Sequence, residues 1–525
     1  MKTIFDFHAH PTFKSFLTSP DPKKRADPWE IFRGKALQLV APFLRSQASF
    51  DQSIRGNVRL QVMPIVPLET GFSELVLIEA VATKFLAISN EFIRWINAEE
   101  FSYHDLFWME YEHLCNNLKN KGRRINVVRY AEDVIHDKNV LNLILSVEGS
   151  HALQEGKRTH QVRQPATYLG NLRKLKNESR FSVLYVTLTH LTWNNICNHC
   201  YGTRISDNRI FKPNPHVRGI SAVGFQLIDL AYDVTQGKRV LIDIKHMSLF
   251  ARLELYRYRR KKAYQNIPLI ASHVGVTGFS AEDLLAHIHP STHYAGPNKE
   301  YIVVDYKDVP GIGKGKKNET DFNPWSINLY DEDIREVIDS GGLIGLSLDQ
   351  RILGFGRNKE EFFLYTEFNE LLASDFPEPI KRRETELDDQ DELVTPYLEQ
   401  EDLPSAKLSA QRRKHVRYLV NNLLHIIRIG GPTAWKQVCI GSDFDGLINP
   451  INSCTNSLGL PDLEEDLARM TDDMIREDLK VNPHHQYYVK NLREHIRDVM
   501  FDNGERFLKT YFSESYLHTG NKPKA

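Results

Sequence analysis

The sequence is poor in cysteine, with five in 525 residues, at positions 115, 197, 200, 439 and 454. An odd, sparse set in a long chain argues against a disulfide framework and for a reducing compartment. No window reaches the roughly 18 apolar residues that a membrane span needs. Charge of one sign is also lacking: 67 Lys and Arg stand against 68 Asp and Glu, a net charge of −1. Nothing global therefore points to nucleic acid or to an anionic membrane. The N-terminus has no basic region and no long apolar stretch before a strand that starts by Thr3, so no signal peptide is expected. Internal repeats are missing too. The expectation is a soluble, cytoplasmic protein that meets a small-molecule substrate, without a nucleic-acid or membrane partner. What is present is ordinary globular composition, 41% hydrophobic and 26% charged, with ample length for a large core.

The first residues carry the first chemical signal. Thr3-Ile4-Phe5-Asp6-Phe7-His8-Ala9-His10-Pro11 reads as a buried strand stopped by proline. His8 and His10 are two apart, so on an extended chain they point to the same side. Two imidazoles at one strand tip make half of a metal site.

Seven more apolar strands follow: 57–68, 142–147, 181–189, 240–245, 268–272, 342–348 and 437–442. Helical stretches lie between or after them at 74–115, 172–176, 219–236, 249–263, 331–340, 412–429, 463–479 and 488–512. Eight strands alternating with helices predict parallel βαβ units closed into a (β/α)8 barrel. An open doubly wound sheet would carry a Gly-rich phosphate turn after the first strand, and here that place holds His8-Ala9-His10-Pro11. The whole chain, 1–525, is expected to be one such domain, with insertions at about 17–56, 74–120, 279–324 and 351–410.

Polar groups stand at the C-terminal tips of six of these strands: His8 and His10, Glu148, His190, His246, His273 and Asp443. In a barrel those tips converge on the face where barrel enzymes place their sites. Imidazole nitrogen and carboxylate oxygen suit zinc and related divalent metals. The four histidines divide into two pairs, His8 with His10 and His246 with His273, and a glutamate can bridge two metals. Two adjacent metals make water nucleophilic at neutral pH. Asp443 is placed to move a proton, and His190 to polarise a substrate oxygen or hold a tetrahedral intermediate. The candidate ligands are thus His8, His10, Glu148, His246, His273 and Asp443. The candidate catalytic groups are Asp443, His190 and Glu148, with Zn2+, two ions, or another divalent metal as cofactor.

Several segments occur in order: Ser146-Val147-Glu148-Gly149-Ser150-His151, Thr187-Leu188-Thr189-His190, Gly219-Ile220-Ser221, Leu241-Ile242-Asp243-Ile244-Lys245-His246-Met247-Ser248, Ile270-Ala271-Ser272-His273 and Ile440-Gly441-Ser442-Asp443-Phe444-Asp445-Gly446. Together with Phe501-Asp502-Asn503-Gly504-Glu505-Arg506-Phe507 they resemble the membrane dipeptidase (renal dipeptidase) family of the amidohydrolase superfamily. The resemblance implies a zinc hydrolase with a binuclear site: Glu148 bridging, His246 and His273 on one metal, His8 on the other, His190 on the substrate, Asp443 as acid/base, and a homodimer by analogy. Two departures stand out. The family's first motif is His-x-Asp, whereas this chain has the His-x-His commoner across the superfamily. The family also has a substrate-binding Arg shortly before an Asn, and this chain has Trp325-Ser326-Ile327-Asn328 there. A deaminase or a lactone or ester hydrolase is therefore the first alternative to cleavage of a dipeptide-like amide, and a non-catalytic scaffold the second.

Blander readings belong to the remaining signals. His151 is expected to bond a backbone carbonyl, Asp445 to form a turn or support the site, and Asp243 to support a ligand or the core. Lys245 should point away from the site by strand alternation. Cys197-Asn198-His199-Cys200 lacks the second pair of a zinc knuckle and reads as a loop bordering the pocket. The glycine-lysine run at 311–317 reads as a mobile surface loop. The charged run at 377–404 reads as a solvated excursion, a lid or a subunit contact.

Overall fold

The computed structural model describes residues 3–30, 45–70, 89–98, 101–156, 165–192, 194–201, 217–289, 293–295, 298–312, 320–355, 360–371, 405–481 and 491–522. Eight parallel strands form its centre: β1 (Ile4–Asp6), β2 (Val58–Ile65), β3 (Val140–Val147), β4 (Val183–Thr187), β5 (Leu241–Asp243), β6 (Leu269–Val274), β7 (Leu343–Leu346) and β8 (Val438–Ile440). They neighbour one another in chain order. The ring closes between β8 and β1: Phe7 N donates to Ile440 O at 2.8 Å, Asp443 N to His8 O at 2.8 Å, and His10 N to Phe444 O at 2.8 Å. The fold is the expected (β/α)8 barrel, with every strand within the span read from the pattern or within two residues of it.

Strand alternation sorts the core. Phe5, Phe7, Leu60, Val62, Ile144, Tyr185, Leu241 and Ile270 belong to one buried cluster inside the ring, while Ile4, Met63, Leu143 and Leu145 join the layer under the helices. Closing helix Asn503–Tyr511 seals the N-terminal end of the barrel. Its Phe507 and Leu508 join the inner cluster, and Asn503 Nδ2 donates to Val438 O at 2.7 Å. Each large apolar side chain so buried contributes roughly 2 kcal/mol. Gly504 is required there, because a Cβ would lie 2.0 Å from Phe5 Cδ1. With one end plugged, the opposite mouth is where a ligand can enter.

The helices that follow the strands are α1 (Phe50–Arg55), α2 (Tyr103–Cys115), α3 (Pro165–Lys176), α4 (Ala222–Tyr232), α5 (Leu249–Lys261), α6 (Asp331–Asp339), α7 (Ser405–Gly430) and α8 (Leu460–Val481). Local chemistry sets their starts: Ser49 with Gln52 and Ser102 with Asp105 form capping boxes, and Ser221 and Ser248 cap α4 and α5. The Ser102 box also breaks the long helix expected over 74–115: its described part is Asn90–Ala98 followed by α2. The helix expected over 219–236 stops at Tyr232, where Asp233 leaves the helical conformation. The stretch at 488–512 is interrupted by a π-turn at Asp498–Asp502.

Two features have no counterpart in the periodicity. Arg123–Val127 pairs beside the start of β3. In the two late insertions, Tyr301–Asp305 lies between His293–Ala295 and Glu360–Leu364 in a small antiparallel sheet. One insertion thus pairs with the other, a contact that no local pattern encodes. Buried Glu361 anchors this sheet, accepting from Ser326 N at 3.0 Å and Tyr306 OH at 2.9 Å. Residues 313–319, 372–404 and 71–88 lie outside the described residues, and with them most of the glycine-lysine run, the charged run and the start of the expected 74–115 helix. No described helix is long and apolar enough to cross a membrane.

Candidate metal centre

The seven side chains singled out at the strand tips meet at the open mouth of the barrel. Glu148 is their hub. Its Oε1 lies 3.5 Å from His8 Nε2, 3.6 Å from His190 Nε2, 3.3 Å from His246 Nε2 and 3.7 Å from His273 Nε2, and its Oε2 lies 3.4 Å from His10 Nε2. His8 Nε2 and His10 Nε2 are 3.1 Å apart. Asp443 Oδ1 is 3.4 Å from His10 Nε2 and 3.9 Å from His8 Nε2.

The strand tips are locked so that these groups converge. Buried Asp6, the last residue of β1, accepts from Ser442 N at 2.9 Å and Ser442 Oγ at 2.6 Å, which brings His8 and Asp443 together. Asp243, the last residue of β5, does the same across the barrel, accepting from Ser272 N at 3.2 Å and Lys245 N at 3.1 Å. It ties the segment bearing His246 to the strand bearing His273, a supporting role. Burial raises the pKa of Asp6 to about 6 and that of Asp243 to about 7. His246 and Asp443 both sit at positive φ, +67° and +61°. Such backbone costs on the order of 1 kcal/mol per residue and persists only where surrounding bonds hold it.

The outer ring nitrogens are mostly held as well. His8 Nδ1 meets Tyr185 OH at 2.9 Å, His273 Nδ1 meets Ser272 Oγ at 2.8 Å, and His190 Nδ1 meets Glu69 Oε2 at 2.7 Å. Each contact turns Nε2 towards the cavity, which is how outer groups orient metal-binding histidines. Burial lowers the pKa of His8 and of His273, and lowers that of His246 to about 3, so these imidazoles are neutral and free to donate a lone pair. Burial also pulls His10 down, but Asp443 and Glu148 outweigh it and raise its pKa. Glu148 is held far below its ordinary value, burial notwithstanding, by His8, His190 and His246. Glu69 and His190 form a separate pair: against burial, His190 rises to about 9 and Glu69 falls to about 2.

These residues fit a divalent metal. Ligands about 2.05 Å from a tetrahedral ion lie roughly 3.3 Å from each other, the spacing found among His8, His10 and Glu148. Among the described residues, three groups have all donor atoms within 4.8 Å of one another: His8, His10 and Glu148; His8, His273 and Asp443; and Glu148, His190 and His246. The pairing of His8 with His10 is thus met in space. His246 falls with His190, and His273 with His8, although His246 and His273 both touch Glu148. Four imidazoles cannot each donate a proton to one carboxylate oxygen, whereas divalent ions would accept the lone pairs of such a set.

Several residues stand differently from their expected places. Lys245 lines the cavity rather than pointing away. β5 ends at Asp243, so alternation no longer governs position 245. The Lys245 ammonium is buried with no hydrogen-bond partner among the described residues, and burial lowers its pKa. The strand-tip pattern does not single out Glu69, Tyr185, Asp349 or Arg351. Glu69, Asp349 and Arg351 lie a few residues past the ends of β2 and β7, the two strands with no candidate at the tip; a wider window beyond each strand would have found them. Where the resemblance placed an Arg, the chain offers Ile327 to the cavity.

His151 Nε2 meets Pro67 O at 2.9 Å, the backbone role expected. Asp445 accepts from Gln47 N at 2.9 Å and Ala48 N at 2.8 Å and pairs with Lys14 at 2.8 Å, fastening residues 45–49 to the rim. Cys197 and Cys200 are free and buried. Their loop joins the site segment through Cys200 N to His246 O at 2.8 Å, and neither belongs to a metal-competent group among the described residues.

No family model matches the sequence, and no curated protein matches it. Solved structures do resemble the chain. A metallopeptidase from Rhodobacter sphaeroides, liganded with a phosphinate mimic of the dipeptide L-Ala-D-Ala, is 15% identical and aligns over 96% of this chain and 98% of its own, with a TM-score of 0.48. A dipeptidase AC described as a metallopeptidase of family M19 is 15% identical over 97% and 98%, TM-score 0.47. The probable dipeptidase PvdM from Pseudomonas aeruginosa is 14% identical over 88% of each chain, TM-score 0.46.

Proposed function

We propose that this chain is a metal-dependent hydrolase that cleaves an amide or peptide-like bond in a small polar substrate. One observation carries the reading: His8, His10, Glu148, His246 and His273 converge at the open end of the barrel, with Asp443 beside them. His8, His10, Glu148, His246 and His273 would hold the metal, with Asp443 at its edge. Bound there, a divalent ion would supply Lewis acidity for carbonyl polarisation and for activation of water at neutral pH.

The chain's own residues supply the rest. Asp443 is the most exposed carboxylate of the cluster, its side chain 14% accessible, and it is placed to take a proton from water and deliver it to the leaving nitrogen. His190, held as a cation by Glu69, presents Nε2–H to an oxyanion developing on the substrate. Thr192 N and Oγ1 donate to the other Glu69 oxygen at 2.9 and 2.7 Å, so the pair cannot swing. The walls are largely apolar, including Phe13, Val66, Leu68, Ile327 and Leu447. They exclude bulk water and so strengthen these charge interactions.

The test is metal content and turnover together. Purified protein should carry close to two divalent ions per chain. Chelation should abolish hydrolysis, and Zn2+ or another divalent ion should restore it. A folded, metal-free barrel in metal-replete buffer would sink the proposal. A second reading, a deaminase or a lactone or ester hydrolase, draws on the His8 and His10 pair and on Ile327 in the cavity. A panel of dipeptides, lactones, esters and amino-purines separates the two.

A further inference from the structure

We propose that Lys14 and Asp445 are positioning residues for Asp443: their buried ion pair holds the turn that aims the Asp443 carboxylate at the reacting groups. The proposal rests on the acid/base role given to Asp443 above and adds the residues that keep it in place.

The chain around Asp443 is strained. Asp443, Asp445 and Leu447 stand at φ +61°, +67° and +63°, and none of them is glycine. Side chains rarely adopt this left-handed backbone, and it persists only where neighbouring bonds impose it. Some of those bonds belong to the closing seam of the barrel. Asp443 N donates to His8 O and His10 N to Phe444 O, each at 2.8 Å, which fixes the path as far as Phe444. Gly446 N then turns back onto Asp443 O at 3.0 Å. The turn comes so close that a Cβ at Gly446 would lie 2.1 Å from Asp443 Oδ1. It is the floor on which the carboxylate rests, with Oδ1 3.4 Å from His10 Nε2.

Asp445 fastens this floor. Its carboxylate accepts from Gln47 N at 2.9 Å, Ala48 N at 2.8 Å and Lys14 Nζ at 2.8 Å, and its own N donates to Gln47 Oε1 at 2.8 Å. Lys14 belongs to the helical turn Phe13–Phe16, which follows His10 directly, and its Nζ also donates to Arg45 O at 2.9 Å. The two side chains are only 8% and 3% accessible, so solvent screens the pair little. One partner lies two residues past Asp443 and the other four past His10. The ion pair therefore bolts the extension of β8 to the extension of β1, across the seam where Asp443 and His10 face each other. Removing one charge leaves the other buried and uncompensated, and the strained turn is then free to relax.

The test uses the full chain at saturating Zn2+, with Lys14→Met, Asp445→Asn and the conservative Lys14→Arg. Melting curves establish that each variant is folded. Should Lys14→Met fail to fold, the double variant Lys14→Met with Asp445→Asn, which removes both charges, takes its place. With glycyl-L-leucine, kcat should fall roughly 10–100-fold in Lys14→Met and Asp445→Asn, with KM within threefold of wild type. Lys14→Arg should stay within about threefold of wild type in kcat. A merely structural pair would lower Tm and leave this split unmoved. Crystal structures of the same proteins supply a readout that needs no turnover: the Asp443 carboxylate should shift by about 1 Å or more in Lys14→Met and Asp445→Asn. An Asp443 that has not moved overturns the proposal whatever the kinetics. A displaced Asp443 with kcat within threefold of wild type, or with no turnover even in wild type, leaves the positioning role standing and counts against the acid/base reading.

Discussion

Glu69→Gln isolates the pair that aims His190 into the cavity. His190 is raised from 6.5 to about 9, which corresponds to about 3 kcal/mol. Burial opposes that rise and Glu69 is the largest contributor to it, with Glu148 and Asp443 adding less. The substitution should therefore cost roughly 2–3 kcal/mol, at or just below the usual cost of breaking a buried ion pair. The sign follows from linkage. A histidine raised from 6.5 to about 9 gives its full stabilisation below pH 6.5 and loses it as pH rises through 9. A carboxylate lowered from 4.5 to about 2 gives its full share above pH 4.5 and loses it as pH falls through 2. The pair is thus worth most between about pH 4.5 and 6.5. With about 2.1 cal/mol/K of unfolding entropy per residue over 525 residues, the loss corresponds to roughly 2–3 °C in Tm. Melts of metal-free wild type and Glu69→Gln from pH 5 to 10 read this directly. The gap should be widest near pH 5.5 and close or reverse above pH 9. A gap that does not change with pH would refute the ion-pair account of His190.

Glu148→Gln should lose metal and hydrolysis together, because five imidazoles gather on its two oxygens; metal analysis after dialysis checks this, and full occupancy would contradict the hub role. Asp443→Asn should retain metal yet lower kcat by about 10²–10⁴, measured by steady-state kinetics at saturating metal. Tyr185→Phe removes the hydroxyl at His8 Nδ1 and should weaken metal affinity about tenfold or more, read by competition with a chelating dye. Lys245→Met removes a buried ammonium without a hydrogen-bond partner among the described residues and should raise the stability of the metal-free protein by about 1 kcal/mol or more; a lower denaturant midpoint would show that Lys245 has a partner there.

The barrel was legible because each of its strands is a short apolar run closed by a turn or a polar tip, and the helices between them carry their own caps. Boundaries were less so where a single capping residue decides: nothing in the apolar spacing of 74–115 marks Ser102 as a restart. The small sheet of Tyr301–Asp305 with Glu360–Leu364 was invisible, since its partners lie more than 50 residues apart and meet only once the barrel has brought both insertions to one rim.

For the site, the residue types at strand ends were enough to name His8, His10, Glu148, His190, His246, His273 and Asp443, because a parallel barrel sends all such tips to one face whatever the loops do. Lys245 and Arg351 mark the limit of that reasoning. Strand alternation stops where the strand stops, so only the three-dimensional path of the chain after Asp243 turns Lys245 inward. Arg351 lines the cavity only because Asp349 and the carbonyl of Leu447, almost a hundred residues away, hold its fork at the wall. The sequence by itself determined the barrel and the chemistry at its mouth through local pattern. Which charges line that mouth was decided by long-range packing, because the direction of a side chain on a loop depends on what the loop is bonded to.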